Sequence, residues 1–137
     1  MSNDDLLSLM EAPLIAIADA DIDITPALFD RFFERFPEQR AGFFNLQAAA
    51  GRMTNETVAA MIGLASDESW VPVTITNFVD LHRNYGVFPA SLYAAFVDMT
   101  VDIIAESAGK SWTKESEKAW RTQAERLNTL IGSAIRP

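Results

Sequence analysis

The side chain with the widest chemical range in this chain is His82, its only histidine. It sits in the stretch VDLHRNYGV at 79–87, beside Asp80, Arg83 and Tyr85. An imidazole in that company suits a general base, a metal ligand or an ordinary hydrogen-bonded polar residue. The composition narrows the choice. There is no cysteine, which removes disulfides, thiolate metal sites and cysteine nucleophiles together. Histidine-rich zinc sites are excluded as well, since only carboxylates remain as co-ligands. A Ser-His-Asp relay is formally open, but no stretch resembles a nucleophile elbow.

Spacing says where the ring points. Pro72 is expected to open a helical stretch in which Ile75, Phe78, Val79 and His82 share one face. His82 then faces the interior with the apolar residues. Asp80 and Arg83 fall off that face, which weakens a catalytic Asp-His reading. An imidazole buried without a partner costs free energy, so it must be hydrogen-bonded or metal-bound. Periodicity alone favours the plainer outcome, a satisfied core histidine. A haem is the metal centre that asks least of the chain, because the macrocycle supplies four nitrogens and one histidine suffices on one side.

The elements that must position this ring read as helices almost throughout. Leu6, Leu9, Met10, Pro13, Leu14 and Ile17 predict a first amphipathic helix, bent or split at Pro13. Thr25-Pro26 reads as an N-cap followed by a first-turn proline. The helix behind it carries Leu28, Phe29, Phe32, Phe33 and Phe36, and Pro37 starts a short turn leading to Phe43-Phe44. Residues 45–52 (NLQAAAGR) read as a loop or a loosely formed segment. A helix with Met53, Thr57, Val58, Met61, Ile62, Leu64 and Ala65 follows, and 66–69 form a polar break.

After the His82 stretch, Gly86 is the expected left-handed terminator. Phe88-Pro89 starts a long helix ending near Gly109. Thr113 can cap the last helix, whose stripe is Trp120, Ala124, Leu127, Leu130 and Ile131. No segment alternates as a strand does. The expectation is an all-α single domain of six to eight helices over 1–137.

The charge is −8, from 19 acidic and 11 basic residues. Nucleic acid is a poor partner for such a surface. The acidic N-terminus lacks the basic region of a secretory signal, and no apolar run approaches the roughly 18 residues of a membrane helix. A cytoplasmic protein without membrane contact is expected.

The order of these features resembles a known family. TPALFDRFFERFPEQRAGF at 25–43 is similar to the second helix, short turn and haem-contact phenylalanine of bacterial globins. The likeness is to single-domain bacterial haemoglobins and the haem domain of flavohaemoglobins. LHRNYGVFPASLYAAF at 81–96 resembles the proximal histidine, the Gly-Val pair and the proline that begins the next helix. AWRTQAERLNTLI at 119–131 resembles the start of the final globin helix. The likeness spans nearly the whole chain.

It implies a globin fold around haem b (iron protoporphyrin IX), with His82 as the axial iron ligand. The other imidazole nitrogen would bond to the carbonyl one turn earlier, near Phe78. Phe43 would pack flat on the haem, and Val87 and Phe88 would return apolar cover to the site. Arg83 and Arg52 are either propionate partners or solvent charges. An ungapped match lines the distal pocket with Phe29, Phe43, Met53, Thr57 and Met61. A loop at 45–52 would leave room for Glu56 or Gln47 to take the place of Met53.

The chain departs from the family where polarity matters. The family's distal tyrosine and glutamine, which donate to bound O2, are matched here by Phe29 and Met53. Tyr93 lies within one residue of the family's proximal tyrosine, but no carboxylate stands near Ile135 to match its glutamate. The resemblance therefore implies pentacoordinate binding of a diatomic gas (O2, NO or CO) for transport, buffering or sensing. Ligation of iron by the Met53 thioether is a variant. The alternatives are a haem-free interaction or sensor module, and an NO dioxygenase or peroxidase-like enzyme with a separate reductase. The last two helices offer faces for a homodimer.

Overall fold

In a computed structural model, the chain is described over residues 3–43, 45–86 and 88–135. Val87, expected to cover the site, and Phe44, expected at the end of the turn after Pro37, lie outside the described residues. Six α-helices make up the architecture, with no strand among the described residues. They are α1 (Asn3–Asp19), α2 (Thr25–Arg35), α3 (Leu46–Ala65), α4 (Trp70–His82), α5 (Ala90–Ala108) and α6 (Lys114–Ile135). Short 3-10 segments at Pro37–Gly42, Arg83–Tyr85 and Gly109–Ser111 join or extend them.

Two apolar clusters hold the helices together. The larger gathers Met10 and Ile17 of α1, Met61 and Leu64 of α3, Val71, Ile75 and Val79 of α4, Val101 and Ile104 of α5, and Trp120 and Leu127 of α6. The Trp120 side chain is fully buried, and its indole N–H donates to the Met10 carbonyl at 3.2 Å. That bond satisfies the one polar atom a buried indole carries. The second cluster is aromatic: Leu28, Phe29, Phe32 and Phe33 of α2 pack with Ala50 of α3 and with Phe96, Met99 and Ile103 of α5. Phe43, Met53 and Leu92 close its edges. Helices α3 and α5 contribute to both clusters, so they are the walls the two share.

Several expected boundaries shift. Helix α1 runs unbroken through Pro13. The proline ring is fully buried, and its burial offsets the ladder bond it cannot donate. Thr25 lies inside α2 instead of capping it; Ile24 is the N-cap, and Asp23 Oδ1 accepts from the Thr25 N–H at 3.0 Å. The expected loop at 45–52 is helical from Leu46 onward. Asn45 caps it by accepting from the Ala48 N–H at 3.3 Å, and Ala48, Ala49 and Ala50 are strong helix formers. Helix α4 starts at Trp70, two residues before Pro72, which then occupies the first turn where its missing N–H costs least. Thr113 caps α6 as expected, accepting from the Ser116 N–H at 3.0 Å.

Helices α3 and α4 approach closely at Gly63. A Cβ there would stand 2.7 Å from Val71 Cγ2 and 2.8 Å from Trp70 Cζ2. The glycine is what lets α4 begin hard against α3, and so sets where the far end of α4 places His82.

Candidate functional site

His82 is the last residue of α4 and is half-buried. Its Nδ1 lies 2.8 Å from the Phe78 carbonyl oxygen. A carbonyl only accepts, so Nδ1 carries the proton. In the neutral ring the lone pair is then on Nε2, which has no hydrogen-bond partner among the described residues. Three aromatic rings lie against it: Phe78, tilted, at 4.3 Å between centroids, and Tyr93 and Phe88, in edge contacts, at 5.7 and 6.0 Å. The tautomer and the orientation are thus fixed from behind, and the basic nitrogen is left open. This is the electronic arrangement of an imidazole ready to make one metal bond.

Neither charged neighbour addresses the ring. Asp80 Oδ1 accepts from Arg83 Nη1 at 2.8 Å, and Arg83 Nη2 donates to the Ala134 and Ile135 carbonyls at 3.1 and 3.4 Å. Tyr93 meets His82 through its ring edge only. Its hydroxyl has no hydrogen-bond partner among the described residues, and burial raises its pKa, opposed by the nearby Arg83 charge.

The other expected pocket residues form a second group. Phe29 and Phe43 meet edge to face at 5.8 Å, and both contact Phe33, while Met53 packs against the same cluster. Thr57 is buried, and its hydroxyl donates to the Met53 carbonyl at 2.7 Å. The hydroxyl proton is spent inside α3. Met61 is fully buried in the larger cluster with residues of α1, α4, α5 and α6. Arg52 is exposed, with no partner among the described residues. Gln47 and Glu56 are exposed as well, so Met53 is the residue of the three that turns toward the aromatic group.

The structure therefore brings together Phe29, Phe43 and Met53 on one side, and His82 and Phe78 on the other, with the Arg83 side chain turned to the end of α6. No ring contact joins the two groups among the described residues. The link is the start of α5, where Leu92 and Phe96 serve the first group and Tyr93 serves the second. Phe33, Phe96 and Leu92 were not singled out as site residues. For Leu92 and Phe96 the signal was the Leu92, Phe96, Met99, Ile103 spacing on α5, and for Phe33 it was the phenylalanine run of α2.

Gly86 follows the 3-10 segment after α4 with φ 134° and ψ −171°. This is a region open to glycine alone, not the left-handed helical cap expected from the sequence. Two residues on, the Phe88 ring stands 6.0 Å from the His82 ring between centroids.

Two surface clefts lie elsewhere. One of about 320 Å3 is lined by Leu14, Ile22, Ile24, Thr54 and Val58 among others. One of about 540 Å3 is lined by residues including Leu64, Pro72, Arg126 and Leu130. Among the described residues no cluster of three or more His, Asp or Glu side chains is placed to hold a metal ion. No helix there is long and apolar enough to cross a membrane.

No family model, no curated protein and no solved structure matches the chain.

Proposed function

We propose that this chain is a haem-binding globin in which His82 Nε2 ligates the iron and a diatomic gas binds on the opposite side. The observation that carries the reading is the His82 ring itself: Nδ1 donating to the Phe78 carbonyl, Nε2 left with its lone pair, apolar and aromatic residues around it. That donor set fits a haem, which needs one neutral imidazole from the chain and apolar walls. The helix order, a phenylalanine-rich second helix, a 3-10 turn into Phe43 and the His82-to-Pro89 passage support it further, as the features of the resemblance to bacterial globins. When bound, haem would supply an iron with one position free for a small gas.

The chain's own residues determine how such a gas is treated. Phe29 offers no donor, and the Thr57 hydroxyl is already committed to the Met53 carbonyl. A polarised ligand such as O2 gains no charge-assisted hydrogen bond from either. Discrimination in favour of O2 over CO and NO should therefore be weak, which suits gas binding or sensing better than oxygen storage. The Phe78 carbonyl holds the imidazole without a carboxylate behind it, so the strong electron push of the peroxidase-like members is missing. Arg52, exposed beside Met53, remains free to meet a propionate, while Arg83 is engaged at the end of α6.

A haem-free module of the same fold is the competing reading, favoured by the fact that the two clefts described are lined by residues other than His82. Absorption spectra of the ferric, dithionite-reduced and CO-treated protein decide between them. The proposal expects a Soret band that shifts on reduction and again with CO. A five-coordinate ferrous spectrum excludes Met53 as a second ligand, and no Soret band after expression with excess haem establishes the haem-free module.

A further inference from the structure

Arg83 follows His82 directly, and its guanidinium reaches across to another helix. Nη1 donates to Asp80 Oδ1 within its own turn at 2.8 Å. Nη2 donates to the carbonyls of Ala134 and Ile135, 51 and 52 residues away in sequence, at 3.1 and 3.4 Å. Those carbonyls belong to the last turn of α6, where four C=O groups lack helical partners and the dipole is negative. Among the described residues helix α6 has no basic residue in its last turn, and the Arg83 guanidinium reaches that turn from the end of α4. The Arg83 N–H meanwhile closes α4, donating back toward the Val79, Asp80 and Leu81 carbonyls.

We propose that Arg83 is a positioning residue that couples the His82 face to the C-terminal turn of α6, so that gas binding and the order of that turn are linked. The inference rests on the haem reading for what is sensed; the tether itself does not. Any change of force on the imidazole passes to Arg83 through one peptide bond, and from its guanidinium to α6. Asp80 holds the fork in place, so that the side chain transmits displacement instead of rotating away from it. The Arg83 side chain is about half exposed, at 53%. The coupling should therefore sit at the low end of allosteric effects, about fivefold.

The test is amide hydrogen exchange over 131–135 in the haem-loaded protein, with and without CO, for wild type, Arg83→Met and Arg83→Lys. In wild type, CO changes exchange in this turn by about fivefold, and leaves the middle of α6 unchanged. Arg83→Met raises exchange at 131–135 and abolishes the CO dependence. Arg83→Lys keeps the charge but not the fork, and recovers part of the protection. Equal exchange with and without CO in wild type overturns the proposal, as does a CO dependence that survives in Arg83→Met. If the chain takes up no haem, the functional reading falls by itself. The tether is then judged on the haem-free protein, where unchanged exchange in Arg83→Met overturns it.

Discussion

Replacing Gly63 by alanine sets two known effects against each other at a place where the structure says which wins. In a helix interior, Gly→Ala stabilises by about 1 kcal/mol through backbone entropy and propensity. Here the added methyl would meet Val71 Cγ2 at 2.7 Å, whereas ordinary contacts begin near 3.4 Å. About 0.7 Å must be found. The Trp70 ring also crowds the site, but it is 42% exposed and can swing outward. Val71 cannot: its side chain is fully buried, and a helical valine has one strongly preferred rotamer.

Overpacking of this kind costs about 1–3 kcal/mol, so Gly63→Ala should destabilise by about 1 kcal/mol net. For a chain of this size that lowers the thermal midpoint by roughly 3–4 °C, read by far-UV circular dichroism. Val71→Ala makes room, so the double variant should be more stable than the two single effects added, by about 0.5 kcal/mol or more. A higher midpoint for Gly63→Ala, or strict additivity with Val71→Ala, would refute the close contact and leave propensity alone in charge.

Other outcomes follow from the same contacts. Phe29→Tyr places a phenol where the chain has no donor. In the haem-bound form proposed above, O2 release should slow by roughly 10- to 100-fold, the kinetic equivalent of one hydrogen bond of about 1.5–3 kcal/mol, with CO release little altered. Thr57→Val should change O2 release less than twofold, because the lost hydroxyl proton pointed at the Met53 carbonyl; a large change would mean that the hydroxyl faces the gas. Thr113→Ala removes the α6 cap and should cost about 1 kcal/mol in urea unfolding.

The Glu117 carboxyl is held below its usual range by Arg121, with Trp112 adding a second hydrogen bond, and Glu106 is lowered by Arg31. Lowered carboxyl pKa values stabilise the fold above the unfolded-state value, and that contribution disappears as pH falls through the folded-state value. The urea midpoint should therefore fall as pH drops below the ordinary carboxylate range, and less steeply in Glu117→Gln.

Much of the architecture was legible because helical periodicity records burial directly. Val71, Ile75 and Val79 are buried as their spacing demands, and the same spacing put the Phe78 carbonyl within reach of His82. The stretch at 45–52 misled because alanines carry no periodicity, and a single asparagine cap does not reveal how far the helix behind it extends. The backbone at Gly86 was not legible either. A glycine announces freedom from a Cβ, not which forbidden region it will occupy.

Arg83 shows a further limit. Its neighbours in sequence suggested a role at the site, but its partners are Asp80 and the end of α6, and only the packing of α4 beside α6 makes that contact. The commitment of the Thr57 hydroxyl to its own helix is likewise a matter of rotamer, which no spacing rule specifies.

The central claim is that one imidazole nitrogen of His82 is reserved for iron. Titrating purified haem-free protein with haem, and doing the same with His82→Ala, tests it most directly. A Soret band should saturate at one haem per chain in the wild type and be lost or displaced in the variant, with both proteins equally helical. Equal haem uptake with an unchanged spectrum in His82→Ala, or no uptake by either protein, would contradict it.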